Sequence, residues 1–347
     1  MKQLENLLRV LSMGGLLVLC ILSFSYAAEE KVLNIYNWSD YLAPEVLAEF
    51  EEQFGVKIYY DSYDSNEALL AKLQLGISGF DLVFPSDYMV EIMIKLDLLE
   101  PLDKAQIPNI KYLDARFLNQ PFDPENGYSL PYAWGTSGIA YRADYVTEPV
   151  DSWNVLFDPK YSGRVVLLDD MRETIGMALK FLGYSLNSTN PEELEQARDV
   201  LLKQKPLVKA YISAQPQILL SGDAWLAHNW VSYTNMVAAE NPNIRYAVPK
   251  EGSSRFIDTC AIPKNAPHKE LAHAFLNFIL EPQNDARNHN YISCPTANTA
   301  AMEYLNDLLR SLISEFSPEL EKKVEYIHDL GEATRLWDNI WTEVKIQ

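Results

Sequence analysis

From residue 31 onward the chain alternates short β-rich runs with segments of helical character, and no other feature narrows its fold as far. Residues 32–36, 56–60 and 81–85 read as strands, with 44–54, 67–75 and 88–98 as helices between and after them. Strands separated by helices predict an α/β fold, a sheet with helices laid over its faces. Turn-forming clusters at 76–79 and 121–127 punctuate this first block. A second block has a strand at 164–168, a helix from Met171, a helix entered at Asn190-Pro191, and strands near 208–212, 225–229 and 245–248. A strand at 257–262 and a helix at 269–280 follow, and the last 45 or so residues read as mostly helical and amphipathic.

Open α/β sheets bind ligands beyond the carboxyl ends of their strands. Aromatic and acidic residues fall repeatedly at such places here. Trp38-Ser39-Asp40-Tyr41 leaves the first strand, Ser86-Asp87-Tyr88 the third, and Asp169-Asp170-Met171-Arg172-Glu173 the first strand of the second block. Trp230 closes another strand, and Phe256 and Asp258 sit in a later one. One cleft could collect them all. An organic cation would suit it: an ammonium needs a carboxylate and favours the negative face of an aromatic ring.

Each residue also has a purely structural reading. Trp38, Tyr41, Trp230 and Phe256 are ordinary core aromatics, and Asp40 can cap the helix that Pro44 opens. Ser86 and Asp87 are N-cap candidates, and Asp170 with Glu173 has capping-box spacing. Asp258 resists such a reading, because an acid in the otherwise apolar run 256–262 costs free energy unless a cation or hydrogen-bond donors meet it.

Residues 1–27 read as a secretory signal peptide: Lys2 and Arg9 flank an apolar run over 10–24, and Ser25-Tyr26-Ala27 offers small residues for cleavage. Cys20 leaves a lipoprotein leader as an alternative, although Leu19 stands before it where a small residue is expected. No second stretch approaches the ~20 apolar residues of a membrane span. Without Lys2, Arg9 and Glu5 the chain has 27 basic and 47 acidic side chains, a formal charge of −20. That charge argues against nucleic acid as a partner and would steer cations inward. Only Cys260 and Cys294 follow the leader, and export would permit a disulfide between them.

The sequence has no phosphate-cradling glycine loop, dinucleotide fingerprint or nucleophile elbow, and Gly135-Thr136-Ser137-Gly138 lacks the spacing of the last. The five histidines are scattered, with His268 and His273 read as surface residues, so no cofactor, metal site or catalytic residue is expected. The acids Asp170, Glu173 and Asp258 keep an extracytoplasmic hydrolase as an alternative.

Tyr36-Asn37-Trp38-Ser39-Asp40-Tyr41, Tyr63-Asp64-Ser65-Asn66-Glu67, Pro131-Tyr132-Ala133-Trp134-Gly135-Thr136, Leu168-Asp169-Asp170-Met171-Arg172-Glu173 and Asp258-Thr259-Cys260-Ala261-Ile262-Pro263 occur in order along the chain. With them, the sequence resembles the periplasmic spermidine/putrescine-binding proteins of ABC transporters, of the type II periplasmic-binding-protein fold. The resemblance implies two α/β lobes joined by crossing strands, with a ligand cleft between them. Lobe 1 would comprise residues 31–132 and 260–301, and lobe 2 residues 133–259 and 302–347. It further implies a periplasmic monomer that captures a polyamine and hands it to a membrane permease driven by a separate ATPase. A sensor that docks on a receptor is the alternative within the same fold.

By the same resemblance, aromatic walls fall to Trp38, Tyr41, Tyr88, Trp230 and Phe256, and ammonium-binding carboxylates to Asp40, Asp170, Glu173 and Asp258. Ser39 and Ser86 would supply further hydrogen bonds. The chain departs from the pattern at Cys294, where the family usually has a pocket tyrosine, and near Ile327, where the spermidine type has a glutamine. Tyr233 stands where the putrescine type carries an aspartate. Separated acids favour a longer triamine, so spermidine is expected to bind more tightly than putrescine.

Overall fold

The structure, a computed structural model, describes residues 31–76, 79–213, 217–315 and 318–346. The expected leader, with Cys20, lies outside them. In chain order the first elements are β1 (Lys31–Trp38), α1 (Pro44–Phe54), β2 (Val56–Tyr63), α2 (Asn66–Gln74), β3 (Leu82–Val83), α3 (Asp87–Lys95) and β4 (Ser129–Arg142). Then come β5 (Val165–Leu167), α4 (Met171–Phe181), α5 (Pro191–Gln204), β6 (Val208–Tyr211), α6 (Gln217–Leu220), β7 (Leu226–Trp230), α7 (Val231–Glu240) and β8 (Ile244–Ala247). The chain continues through β9 (Ser253–Ala261), α8 (Lys269–Ile279), α9 (Pro282–Ile292), α10 (Asp307–Glu315), α11 (Pro318–Glu321), β10 (Val324–Tyr326) and α12 (Thr334–Ile346).

The strands run β2-β1-β3-β9-β4-β7-β5-β6, with β10 beside β9 and β8 beside β4. β1 pairs in parallel with β2 and β3, and β5 with β6 and β7. These are the βαβ units that the alternation predicts. Two long antiparallel strands join the groups. β4 pairs with β9 from Ser129 to Thr136 and with β7 from Ser137 to Tyr141. β9 reaches β3 through Ala261 and meets β10 at Ser253–Arg255. The sequence gives no strand at β4: it is buried on both faces, so hydrophobic alternation is absent, and Gly135 and Gly138 look like turn formers. Both glycines are there for close packing. A Cβ at Gly135 would lie 2.7 Å from Phe256 Cζ, and one at Gly138 would lie 2.6 Å from the Ala247 carbonyl oxygen.

Each strand group has its own core. Leu33 and Ile35 of β1 pack with Phe50, Leu82, Tyr132 and Phe275. Ile139 packs with Trp153, Leu167, Ile175, Leu226 and Trp337. Fully burying side chains of this size contributes about 1.5–3 kcal/mol each, enough to hold α12 on the second group through Trp337, Ile340 and Val344. Not all of 302–347 goes there, however. Leu305 and Leu309 pack against Ala286 and Ala301, beside the first group, because a short amphipathic helix buries its apolar stripe on the nearest uncovered helix face, here α9.

Among the described residues no helix is long and apolar enough to cross a membrane. Cys260 and Cys294 are buried free thiols rather than a disulfide. His273, expected at the surface, is buried because its Nε2 accepts from the Asp103 backbone N–H at 3.0 Å. His268 is half-buried against Asp81.

Candidate ligand-binding cleft

The strand exits of both groups open onto one cavity of about 370 Å³, within the usual range for small-molecule sites. All eleven residues singled out from the sequence line it: Trp38, Ser39, Asp40 and Tyr41 after β1; Ser86 and Tyr88 at the start of α3; Asp170 and Glu173 at the start of α4; Trp230 at the end of β7; and Phe256 and Asp258 on β9.

Asp258 shows how the sheet sets the chemistry. Alternate residues of a strand share a face, so Ser254, Phe256 and Asp258 project together from β9. The buried Asp258 carboxylate accepts from the Tyr41 hydroxyl at 2.6 Å on Oδ2 and from Ser86 Oγ at 2.7 Å on Oδ1. These are the donors that an acid in an apolar strand requires. Burial raises its pKa to about 6 against the pull of both bonds. Ser86 precedes α3 but makes no side-chain cap bond; its hydroxyl instead accepts from Asn66 Nδ2 at 3.1 Å. Asp87 is a further buried acid on the cavity wall, held by the Tyr88 and Ile257 N–H groups at 2.8 and 3.1 Å. Burial pushes its carboxyl well above the usual range.

At the exit of β1, the Trp38 indole N–H donates to the Phe84 carbonyl at 2.9 Å, which fixes the ring at the cavity edge. Asp40 is exposed and adopts a left-handed φ of 53°. It does not cap α1, whose N-cap is Ala43 without a side-chain bond. Tyr36, from the same motif, is core: it stacks on Phe80 with ring centroids 4.5 Å apart.

At the other end, Asp170 caps α4 by accepting from the Glu173 N–H at 2.9 Å. The reciprocal half of a capping box is missing. The Glu173 carboxylate turns into the cleft, accepting from Ser254 Oγ at 2.8 Å and from the Trp230 indole N–H at 3.1 Å. Burial, then the neighbouring Asp170, raises its pKa to about 7. Arg172 lies between these acids, 4 % exposed, donating to the His328 carbonyl at 2.9 Å and to Asn187 Oδ1 at 3.0 Å. Its guanidinium faces the Tyr88 ring at 5.5 Å. Tyr88 donates from its hydroxyl to Glu67 at 3.2 Å, and burial with Asp170 nearby raises Glu67 as well.

Asn66, Asp87, Arg172, Gln217 and Met236 also line the cavity without having been singled out from the sequence as ligand contacts. Asp87 reads as a cap from the sequence, and burial is what brings it and Arg172 onto the wall. Tyr233 and Ile327, where departures from the family pattern were expected, are on the wall. Cys294 is not: it is wholly buried, with its thiol 3.4 Å from the Trp134 carbonyl, and Ile292 takes the wall position nearby. Among the described residues no three His, Cys, Asp or Glu side chains are grouped to hold a metal ion.

Two α/β strand groups bridged by crossing strands, with an acid- and aromatic-lined cleft at their junction, define a two-lobed binding protein that encloses small solutes. The chain belongs to the bacterial extracellular solute-binding protein family, whose model matches residues 45–326. It is similar to the putrescine-binding periplasmic protein SpuD of Pseudomonas aeruginosa, at 35% identity over 99% of both chains. Similarity to the spermidine/putrescine-binding periplasmic protein of Escherichia coli is 36% over 93% of this chain and 94% of that one. Among solved structures, the spermidine/putrescine ABC transporter substrate-binding protein PotD of Streptococcus pneumoniae superposes with a TM-score of 0.78 at 34% identity, covering 91% of this chain and 99% of that one.

Proposed function

We propose that the protein binds a polyamine outside the cytoplasm and delivers it to an ABC transporter. The observation that carries this reading is the placement of carboxylates at both ends of one aromatic-walled cavity: buried Asp258 at one, buried Glu173 with the half-buried Asp170 at the other. A flexible chain with an ammonium at each end matches that pattern. Its methylenes would lie against Trp38, Trp230 and Phe256, its charges against the acids. The names of the relatives support the same ligand class and an extracytoplasmic site of action.

In this reading Trp38, Ser39, Asp40, Tyr41, Ser86, Tyr88, Asp170, Glu173, Trp230, Phe256 and Asp258 contact the ligand. Lobe 1 comprises residues 31–132 with 260 onward through Leu309, and lobe 2 residues 133–259 with the C-terminal helix α12. The leader is removed on export, and the mature monomer docks on a membrane permease with a separate ATPase. The function in this reading is capture rather than turnover, in keeping with relatives that are named as binding proteins. The mass of the small molecule released on denaturing freshly purified protein tests the ligand class. A di- or triamine is expected; an uncharged sugar or an anion would overturn it.

A further inference from the structure

His228 has no role in the cleft as described, yet it lies directly behind Glu173. Its side chain is wholly buried on β7, two residues before Trp230, and its Nε2 stands 3.8 Å from Glu173 Oε2. Neither ring nitrogen has a hydrogen-bond partner among the described residues. Burying an imidazole with both nitrogens unpaired costs free energy, and the ring also packs edge-on against Trp153 with centroids 5.0 Å apart. Burial holds its pKa down to about 3, so at neutral pH the ring is uncharged and is a donor through one N–H only.

Glu173 is the acceptor within reach. Ser254 and Trp230 both donate to its Oε1, and the Ser254 hydroxyl also lies 2.8 Å from Oε2. The other groups that act on it are Ser137 from β4, Asp170 and Arg172 from the start of α4, Asp87 from α3 and Tyr246 from β8. Of these only Arg172 is a cation, and it donates hydrogen bonds to the His328 carbonyl and to Asn187. A shift of less than about 1 Å would bring His228 Nε2 to hydrogen-bond distance of Oε2.

We propose that His228 is a positioning residue for Glu173: its Nε2–H closes onto Oε2 when the carboxylate ionises, holding it charged and aimed at a ligand ammonium. The inference rests on the polyamine reading only for its ligand half. The bond forms in ligand-free protein as well, whenever Glu173 loses its proton, and it makes the lobe-2 end of the cleft grip a cation at lower pH than a buried glutamate could alone.

The test compares His228→Phe, which keeps a ring without a donor, with His228→Gln, whose amide N–H reaches a similar point. In ligand-free protein the protonated-carboxyl stretching band, assigned to Glu173 by its loss in Glu173→Gln, is followed by infrared spectroscopy across pH. His228→Phe should move its midpoint up by about one pH unit, the size expected for loss of one hydrogen bond to a charged group, and His228→Gln should restore it. Spermidine affinity by calorimetry near neutral pH should fall about tenfold in His228→Phe and recover in His228→Gln, with no further loss when His228→Phe is added to Glu173→Gln. If Phe at 228 prevents folding, His228→Leu serves in its place. An unmoved carboxyl midpoint in the folded donor-free variant overturns the proposal. Absence of polyamine binding by the wild type would overturn the proposed function, while a moved midpoint would still support the His228 contact.

Discussion

The two ends of the cleft hold their acids by different means. Asp258 stands on a strand that crosses between the lobes and is fixed by two hydroxyls, from Tyr41 and Ser86. Glu173 stands in the first turn of a helix, held by a hydroxyl and an indole N–H, with the Arg172 cation among the acids around it. Among the described residues the groups that act on Asp258 are hydroxyls rather than cations, whereas the Glu173 end already has a positive charge in Arg172. An incoming ammonium should matter most at Asp258.

The largest effect expected is at Asp258. Replacing it with Asn should cost about 2–5 kcal/mol of spermidine binding, the range for truncating one partner of a buried charge pair, and more than Asp170→Asn does. Calorimetry with both variants checks the order; a greater loss at Asp170 would invert the comparison.

Acidity separates the ends next. Binding an ammonium needs the ionised acids, so with Asp258 near 6 and Glu173 near 7, affinity should rise from pH 5 to about 8. Below both values it should fall by up to about tenfold per pH unit for each acid that must ionise. Ligand-free stability has the opposite sign. These carboxyls bind protons more tightly folded than unfolded, so their contribution is present at low pH and is lost as pH rises from about 4 through 6 to 7. The thermal shift given by spermidine should accordingly grow with pH, and a shift independent of pH over that range would show that neither acid meets the ligand.

A smaller effect separates the supporting donors. Tyr41→Phe and Ser86→Ala each remove a bond to Asp258, and Trp230→Phe removes one to Glu173. Each should weaken binding by about 1–2 kcal/mol, with the two lobe-1 changes raising the Asp258 midpoint and Trp230→Phe leaving it alone. Smallest is the choice of ligand. Spermidine should compete better than putrescine at one pH and salt concentration, because a diamine that reaches only one end leaves the other acid unpaired; putrescine displacing spermidine at equal concentration would reverse the ranking.

Much of this was legible in the sequence because strand exits and helix starts are written locally. The runs ending at Trp38 and Val83, and the helix starting at Met171, place eight of the eleven wall residues singled out from the sequence by elementary pattern, and an acid in an apolar strand marks Asp258. What escaped depends on contacts distant in the chain. β4 lacks alternation because it is covered on both faces, and its glycines answer to Phe256 and Ala247 far along the chain. Arg172 sits between two acids in sequence, as an exposed helix residue would, and only the aromatic packing of Tyr88 and Trp337 buries it. His228 reads as an isolated histidine until β7 is laid beside β5 and the start of α4. Cys294 was expected near the cleft because the turn carrying it was; its side chain points into the core instead.

The most direct test is calorimetric titration of ligand-stripped protein with spermidine, run beside Asp258→Asn, Glu173→Gln and the double variant. A two-ended acidic cleft predicts saturable binding of one spermidine per chain, weakened by each change and lost in the folded double variant. No binding by the wild type, or equal binding by the double variant, would contradict it.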